Sequence, residues 1–204
     1  MKKVYIGTAK EIGLRCIEWA KKNTPKGFKL TNSIEECDIF ISVLYDKILN
    51  KNFLIQRPCY NFHPAILPEY RGVGAYNWVF INEEDKTGIT LHLMDDGIDT
   101  GDIIEIREFL ISPSDTAYTL HSRGAEIIYK MFKDWYHDIL NQNFTAIKQT
   151  KKYKMYNQKD LENAKNITKY IKAFHFPGKE SMYYINKDGN KIFIDLEQSY
   201  KDIR

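Results

Sequence analysis

Two polar side chains stand two residues apart in Asn61-Phe62-His63-Pro64, in a stretch that runs on as Ala65-Ile66-Leu67-Pro68-Glu69-Tyr70-Arg71-Gly72. In extended chain, residues two apart project to one face. Pro64 biases His63 toward extended backbone and leads into a turn. An amide donor and an imidazole aimed at one point can stabilise a developing oxyanion, and the imidazole can also move a proton. Downstream, Leu91-His92-Leu93-Met94-Asp95-Asp96-Gly97-Ile98-Asp99-Thr100-Gly101-Asp102 sets several carboxylates in a glycine-containing loop after a strand-like run. α/β folds hold ligands at such strand ends, and one of these carboxylates can orient an imidazole across a cleft or keep it charged.

The elements that must position these groups follow an α/β pattern. Residues 3–7 read as a strand, residues 11–22 as an amphipathic helix (Ile12, Cys16, Ile17, Trp19), and residues 28–30 as a second strand. Ser33, with Glu36 three residues on, predicts a short capped helical turn. Residues 37–44 are apolar apart from Asp38 and Ser42, as expected of a central strand covered on both faces. Residues 58–74 read as loop, 75–81 as helix, 87–94 as strand, 95–102 as loop and 103–111 as strand. Residues 115–140 form the longest predicted helix, capped from Ser112-Pro113-Ser114-Asp115, with Ile127, Ile128, Met131, Trp135 and Ile139 on its core face. Beyond a lysine-rich stretch at 148–154, a helix is predicted near 160–173. A hairpin follows, its strands at 182–185 and 191–196 joined around Lys187-Asp188-Gly189. The pattern predicts an α/β, Rossmann-like, mostly parallel sheet flanked by helices. A soft boundary near residue 150 separates a catalytic core (1–150) from a small C-terminal helix plus β-hairpin subdomain (151–204).

With 204 residues, 43% hydrophobic and 14% aromatic, the chain can bury a sizeable core. Its 30 basic and 27 acidic residues nearly balance, which argues against a dedicated nucleic-acid binder. The apolar runs are too short to span a bilayer, and the first residues lack a signal-peptide pattern. Cys16, Cys37 and Cys59 are odd in number and widely spaced, which predicts free thiols in a cytoplasmic protein. Asp95, Asp96, Asp99 and Asp102 miss the calcium-loop register, so no metal is expected. Gly7-Thr8-Ala9-Lys10 is neither a dinucleotide fingerprint nor a Walker sequence. It is either a plain β-to-α turn or, through its amides and Lys10, a phosphate contact. His92 reads as a support for the Asp99 loop, while His121, His137 and His175 carry no motif. Phe174, Phe176, Tyr183 and Tyr184 pack the hairpin, or one of them stacks on a nucleobase.

The two polar segments resemble the signature of the folate-dependent formyltransferases. That superfamily's pattern is Asn-x-His-Pro-Ser-Leu-Leu-Pro-x-Tyr-x-Gly, followed later by His-x7-Asp. Asn61, His63, Pro64, Leu67, Pro68, Tyr70 and Gly72 fill the first element and His92 and Asp99 the second, with Trp78 and Thr87–Leu91 adding to the match over residues 37–125. Ala65 stands in place of the usual Ser and Val73 where several sugar enzymes carry a polar residue. Asn61 comes early, as though the N-terminal half lacked one βα unit. The resemblance implies a catalytic trio of Asn61, His63 and Asp99. Asn61 donates to the oxyanion formed when an amine attacks the formyl carbon of 10-formyltetrahydrofolate. His63, protonated at that moment, stabilises the same charge, and Asp99 holds His63 charged and relays a proton. No metal is needed. The folate is expected between Lys47, Ile48 and Leu49 on one side and Met94, Asp95 and Asp96 on the other. The acceptor is expected at Gly7, Thr8, Lys10, Tyr70, Arg71, Trp78 and Phe176.

The short C-terminal tail resembles that of the sugar N-formyltransferases. The implied acceptor is a nucleotide-linked amino dideoxysugar for bacterial surface glycans, with a UDP-linked 4-amino-4,6-dideoxy sugar favoured and a homodimer formed through the hairpin. The length after residue 150 argues against a methionyl-tRNA acceptor. The alternatives are formylation of glycinamide ribonucleotide or a carrier-bound peptide amine, and a folate- or nucleotide-sugar-binding module without turnover.

Overall fold

The structure is a computed structural model that describes residues 1–150, 155–156, 173, 175, 177, 183–185 and 191–193. In chain order the elements are β1 (Lys2–Gly7), α1 (Glu11–Asn23), β2 (Phe28–Leu30), β3 (Ile39–Val43), α2 (Lys51–Ile55), β4 (Cys59–His63), β5 (Arg71–Gly72), α3 (Ala75–Ile81), β6 (Lys86–Leu93), β7 (Ile103–Leu110), α4 (Ala117–Asn141), β8 (Met155–Tyr156), β9 (Tyr183–Ile185) and β10 (Lys191–Phe193). Six strands form one sheet in the order β2-β1-β3-β4-β6-β7. The junctions from β2 to β4 are parallel and the last two antiparallel, so the sheet is largely parallel, as predicted.

Side-chain alternation divides the core. Val4, Ile6, Ile39, Ile41, Val43, Tyr60, Phe62, Ile89 and Leu91 pack with α1, α3 and α4. On the opposite face, Phe40, Cys37 and Cys59 form a smaller cluster with Tyr5, Tyr45, Leu49, Phe53, Leu54 and Met94. All five residues of β3 are buried, which explains why only Ser42 interrupts its apolar run.

The stretch read as loop at 58–74 contains β4, a strand in the middle of the sheet. Tyr60 and Phe62 are fully buried. The Tyr60 hydroxyl donates to the carbonyl of Ile139 at 3.0 Å, and the Phe62 ring lies 5.9 Å from that of Phe132. The polar residues on the other face, with Pro58 and Pro64 outside the strand ends, mask this pattern in the sequence. At Ser33–Glu36 there is a turn and no helix. Glu36 is drawn instead to Lys3 on β1 (2.7 Å), and Arg57 Nη1 donates to the Cys37 carbonyl at 2.7 Å. The cap of α4 is Thr116, through a reciprocal box with Thr119. Asp115 instead accepts from Ser112 N and pairs with Arg123, each at 2.7 Å. The short α2 was unread in the sequence; Asn50 caps it by accepting from Phe53 N at 2.8 Å.

β9 and β10 pair antiparallel, Tyr184 opposite Ile192, as the hairpin reading expects. The turn at Lys187–Gly189 and residues 160–172 of the expected helix lie outside the described residues. Among the described residues no helix is long and apolar enough to cross a membrane.

Candidate active site

One row runs across the sheet: Gly7 on β1 stands beside Ser42 on β3, Ser42 beside Asn61 on β4, and Asn61 beside His92 on β6. Asn61 and His63 share the β4 face opposite Tyr60 and Phe62, so alternation alone aims them together. The loop after β6 brings Asp99 over them. Its base is closed by Leu93 N donating to Asp102 O at 2.9 Å, and Asp99 itself has φ 53°, a left-handed conformation that a side chain rarely adopts.

The hydrogen bonds fix the proton positions. His92 Nδ1 lies 2.6 Å from the Leu93 carbonyl, which can only accept, so Nδ1 carries the hydrogen. His92 Nε2 lies 3.1 Å from Asn61 Nδ2 and 3.6 Å from Asp99 Oδ1. The same amide nitrogen faces Asp99 Oδ1 at 3.4 Å. His63 Nε2 donates to the Tyr70 carbonyl at 2.7 Å, while its Nδ1 faces Asp99 Oδ2 at 3.5 Å. That carboxylate oxygen also accepts from Gly72 N at 2.9 Å. Thr90, opposite His63 on β6, secures the turn behind the imidazole: its hydroxyl donates to Ala65 O at 2.6 Å and accepts from Leu67 N at 3.1 Å.

Burial pushes the His63 pKa down and His92 adds to that, against the upward pull of Asp99 and the Tyr70 carbonyl; the net direction is below the ordinary histidine value. Burial pushes Asp99 up, but His63, His92 and the Gly72 N–H outweigh it and hold the carboxyl well below the usual carboxylate range. The free site therefore favours a neutral His63 beside an ionised Asp99. In the free protein, desolvation outweighs the pull of Asp99 on the ring.

Leu49 and Met94, expected at the folate, meet on the apolar cluster of Phe40 and Cys59, one residue before β4 turns its polar face. Ile48 is 91% exposed and Lys47 is exposed beside it. Asp95 is engaged within its own loop, accepting from Gly97 N at 3.0 Å and from the Thr100 hydroxyl. Asp96 pairs with Lys51 on α2 at 2.6 Å, which ties the two expected walls together.

The expected acceptor residues divide. Gly7 packs so closely on Phe40 that a Cβ there would come within 2.9 Å of the ring. Thr8 folds back on Lys10, its hydroxyl accepting from Lys10 N at 3.0 Å, and Lys10 is exposed at the start of α1. A cleft of about 420 Å³ opens beside this turn, lined in part by Thr8, Lys21, Thr31 and Asn32. Three side chains expected to meet the acceptor are turned into the protein instead. Tyr70 is buried, with its hydroxyl donating to Glu84 and accepting from Asn82 Nδ2 at 3.1 Å. Trp78 is buried in the core, and Arg71 is bonded to Gln149. Their motif spacing reflects folding as much as ligand contact. Phe176 lies outside the described residues. Gln149 carries no sequence signal, and Thr90 shows in the sequence only as part of the matching run Thr87–Leu91. Among the described residues no group of three or more His, Cys, Asp or Glu side chains is arranged to hold a metal ion.

The formyl transferase family model matches residues 20–134. The chain belongs to that family. A methionyl-tRNA formyltransferase from Caldanaerobacter subterraneus is 37% identical over 118 residues, covering 55% of this chain and 38% of the relative, so the chain spans well under half the length of that relative. A sugar N-formyltransferase structure from a Shewanella species superposes with a TM-score of 0.81 at 20% identity, covering 96% of this chain and 97% of that one, a likeness of fold. A formyltransferase from Anoxybacillus kamchatkensis, solved with UDP-4,6-dideoxy-4-formamido-L-AltNAc and tetrahydrofolate, matches at TM-score 0.66 and 26% identity, covering 79% of this chain and 88% of that one. The family match runs from the end of α1 into α4 and so includes Asn61, His63 and Asp99.

Proposed function

We propose that this chain transfers a formyl group from 10-formyltetrahydrofolate to the amine of a nucleotide-linked amino dideoxysugar, with a UDP-linked 4-amino-4,6-dideoxy sugar favoured. The observation that carries this reading is the convergence of Asn61, His63 and Asp99 at the sheet centre, in a chain of the formyl transferase family. The sugar class rests on similarity to the Anoxybacillus enzyme, whose ligands are a 4-formamido sugar nucleotide and tetrahydrofolate. The β1 turn supports the same acceptor. It opens in the Gly7–Ser42–Asn61 row, two strand spacings or roughly 10 Å from the amide.

When bound, the folate supplies an activated formyl carbon. The apolar wall of Leu49 and Met94 and the exposed Ile48 fit its flat ring system. Asn61 Nδ2 keeps its contact with His92 Nε2 and turns the hydrogen that faces Asp99 Oδ1, 3.4 Å away, to the negative charge that develops on the formyl oxygen. His63 Nδ1, the ring nitrogen without a proton, accepts the proton that the attacking amine must lose. Asp99 then stabilises the imidazolium across the 3.5 Å gap until the ring gives that proton to the nitrogen of the departing tetrahydrofolate as the carbon–nitrogen bond breaks. Within this reading residues 1–150 are the catalytic core, residues 151–204 a C-terminal subdomain that pairs two copies, and the compartment is the cytoplasm.

The test is release of tetrahydrofolate from 10-formyltetrahydrofolate with UDP-, TDP- and GDP-linked 3-amino and 4-amino sugars, with mass spectrometry of the product. Turnover with one sugar nucleotide, lost in His63→Ala, is the expected result. Turnover only with methionyl-tRNA, the acceptor named for the Caldanaerobacter relative, or with glycinamide ribonucleotide would overturn the sugar assignment and leave the chemistry. Folate binding without any transfer would make the chain a binding module.

A further inference from the structure

Gln149 lies 50 residues beyond Asp99 in the chain, yet its amide is fully engaged at the Asp99 loop. Nε2 donates to the main-chain carbonyls of Asp99 at 3.1 Å and Gly101 at 2.6 Å. Oε1 accepts from Arg71 Nε at 3.2 Å and from the guanidinium Nη2 at 2.6 Å. A primary amide offers two hydrogens and two lone pairs, so every position is used.

Three further observations give this bridge a purpose. Asp99 sits in a left-handed conformation that costs energy, so neighbours must over-determine it. Arg71 immediately precedes Gly72, whose N–H holds the Asp99 carboxylate; β5 thus grips Asp99 twice, directly through Gly72 and through Gln149 by way of Arg71. The segment carrying Gln149 is itself anchored. Ile147 and Ile103 exchange two main-chain hydrogen bonds of 2.8 Å, and β8 runs parallel to β5 with Gly72 opposite Tyr156.

We propose that Gln149 and Arg71 are positioning residues that fix the Asp99 backbone so that its carboxylate stays against Gly72 N and His63 Nδ1. The segment after α4 is then part of the active-site geometry and not only a connection to the tail. The inference deepens the proposed function and rests on Asn61, His63 and Asp99 being its catalytic residues.

The variants are Gln149→Met, which keeps the length of the side chain without its polar atoms, and Arg71→Lys, which keeps the charge without the fork. Ring-proton NMR of the full chain follows the His63 titration, its signal identified by loss in His63→Gln. When Asp99 drifts from the ring, the His63 pKa falls; the expected drop is about one pH unit in Gln149→Met and less in Arg71→Lys. In the transfer assay kcat falls by about 10- to 100-fold in Gln149→Met while KM for both substrates stays near wild type, because geometry and not binding is lost. A Gln149→Met chain that melts like wild type but titrates and turns over unchanged would overturn the proposal. If Gln149→Met does not fold, unchanged titration and kcat in Arg71→Lys overturn it instead. If the wild type transfers no formyl group, the proposed function fails, and the titration alone decides whether these residues place Asp99.

Discussion

The two ends of the Gly7–Ser42–Asn61–His92 row treat polar groups in opposite ways. At the β4–β6 end His63 and His92 are almost completely buried; Tyr70 and Asp99 from two loops face His63, Asn61 from β4 faces His92, and Gly72 in turn holds Asp99. At the β1 end Thr8 closes on its own neighbour Lys10, which stands in solvent. Burying polar groups is costly unless they are paired, so the fold commits many elements to the first end and few to the second. The first end is fixed by groups brought together from distant parts of the chain, whereas the second is a short turn held mainly by its own neighbours.

Substitutions can break or sharpen that contrast. The largest effect is expected at Asn61→Ala and His63→Ala, each lowering formyl transfer by about 100-fold or more, while Lys10→Ala changes it by about twofold, as at an exposed position. Equal losses at both ends, read as kcat from tetrahydrofolate release, would erase the distinction. Next comes Gly101→Ala. A Cβ there would run into the Leu93 carbonyl, a backbone atom that cannot swing away, so the loop bearing Asp99 must move. Overpacking of this kind costs about 1–3 kcal/mol, measured by chemical denaturation, with a fall in transfer rate beside it. Thr90→Val leaves the Ala65 carbonyl and Leu67 N–H without the hydroxyl that serves both, and a loss of about 1–3 kcal/mol is expected in the same measurement.

The smallest effect is a pH dependence. His63 is lowered from its ordinary value of 6.5, so between that pH and its folded value the unfolded chain binds more protons than the native one. Stability then rises with pH, and it is lost as pH falls from 6.5. Asp99, also lowered, adds a loss only below its ordinary value of 3.8. Melting temperature should therefore decline from pH 7 to pH 5, and decline less in His63→Gln. A steeper decline in the variant would contradict the assigned sign.

Much of this arrangement was legible in the sequence because spacing carried it. Asn61 and His63 share a face whenever residues 59–63 are extended, and the resemblance to the formyltransferases singles out Asp99 among the carboxylates of the loop after the 87–94 run. What stayed hidden depended on partners distant in the chain. β4 was disguised by its polar face, and becomes a strand only because β3 and β6 supply neighbours on both sides. Tyr70 and Arg71 looked like ligand contacts, but Glu84 and Gln149 claim them. Glu36 looked like half of a capping box until Lys3 took it. A motif records which residues recur together and not which of them face the ligand.

The most direct test of the central claim is Asp99→Asn assayed with 10-formyltetrahydrofolate and a UDP-linked 4-amino-4,6-dideoxy sugar, with folate affinity measured separately. The expected result is a kcat lowered by about 100-fold or more with folate affinity near wild type, because the carboxylate stabilises a proton on His63 and not the bound folate. Turnover at the wild-type rate would show that Asp99 only shapes its loop, and would contradict the assignment of the chemistry to this cluster.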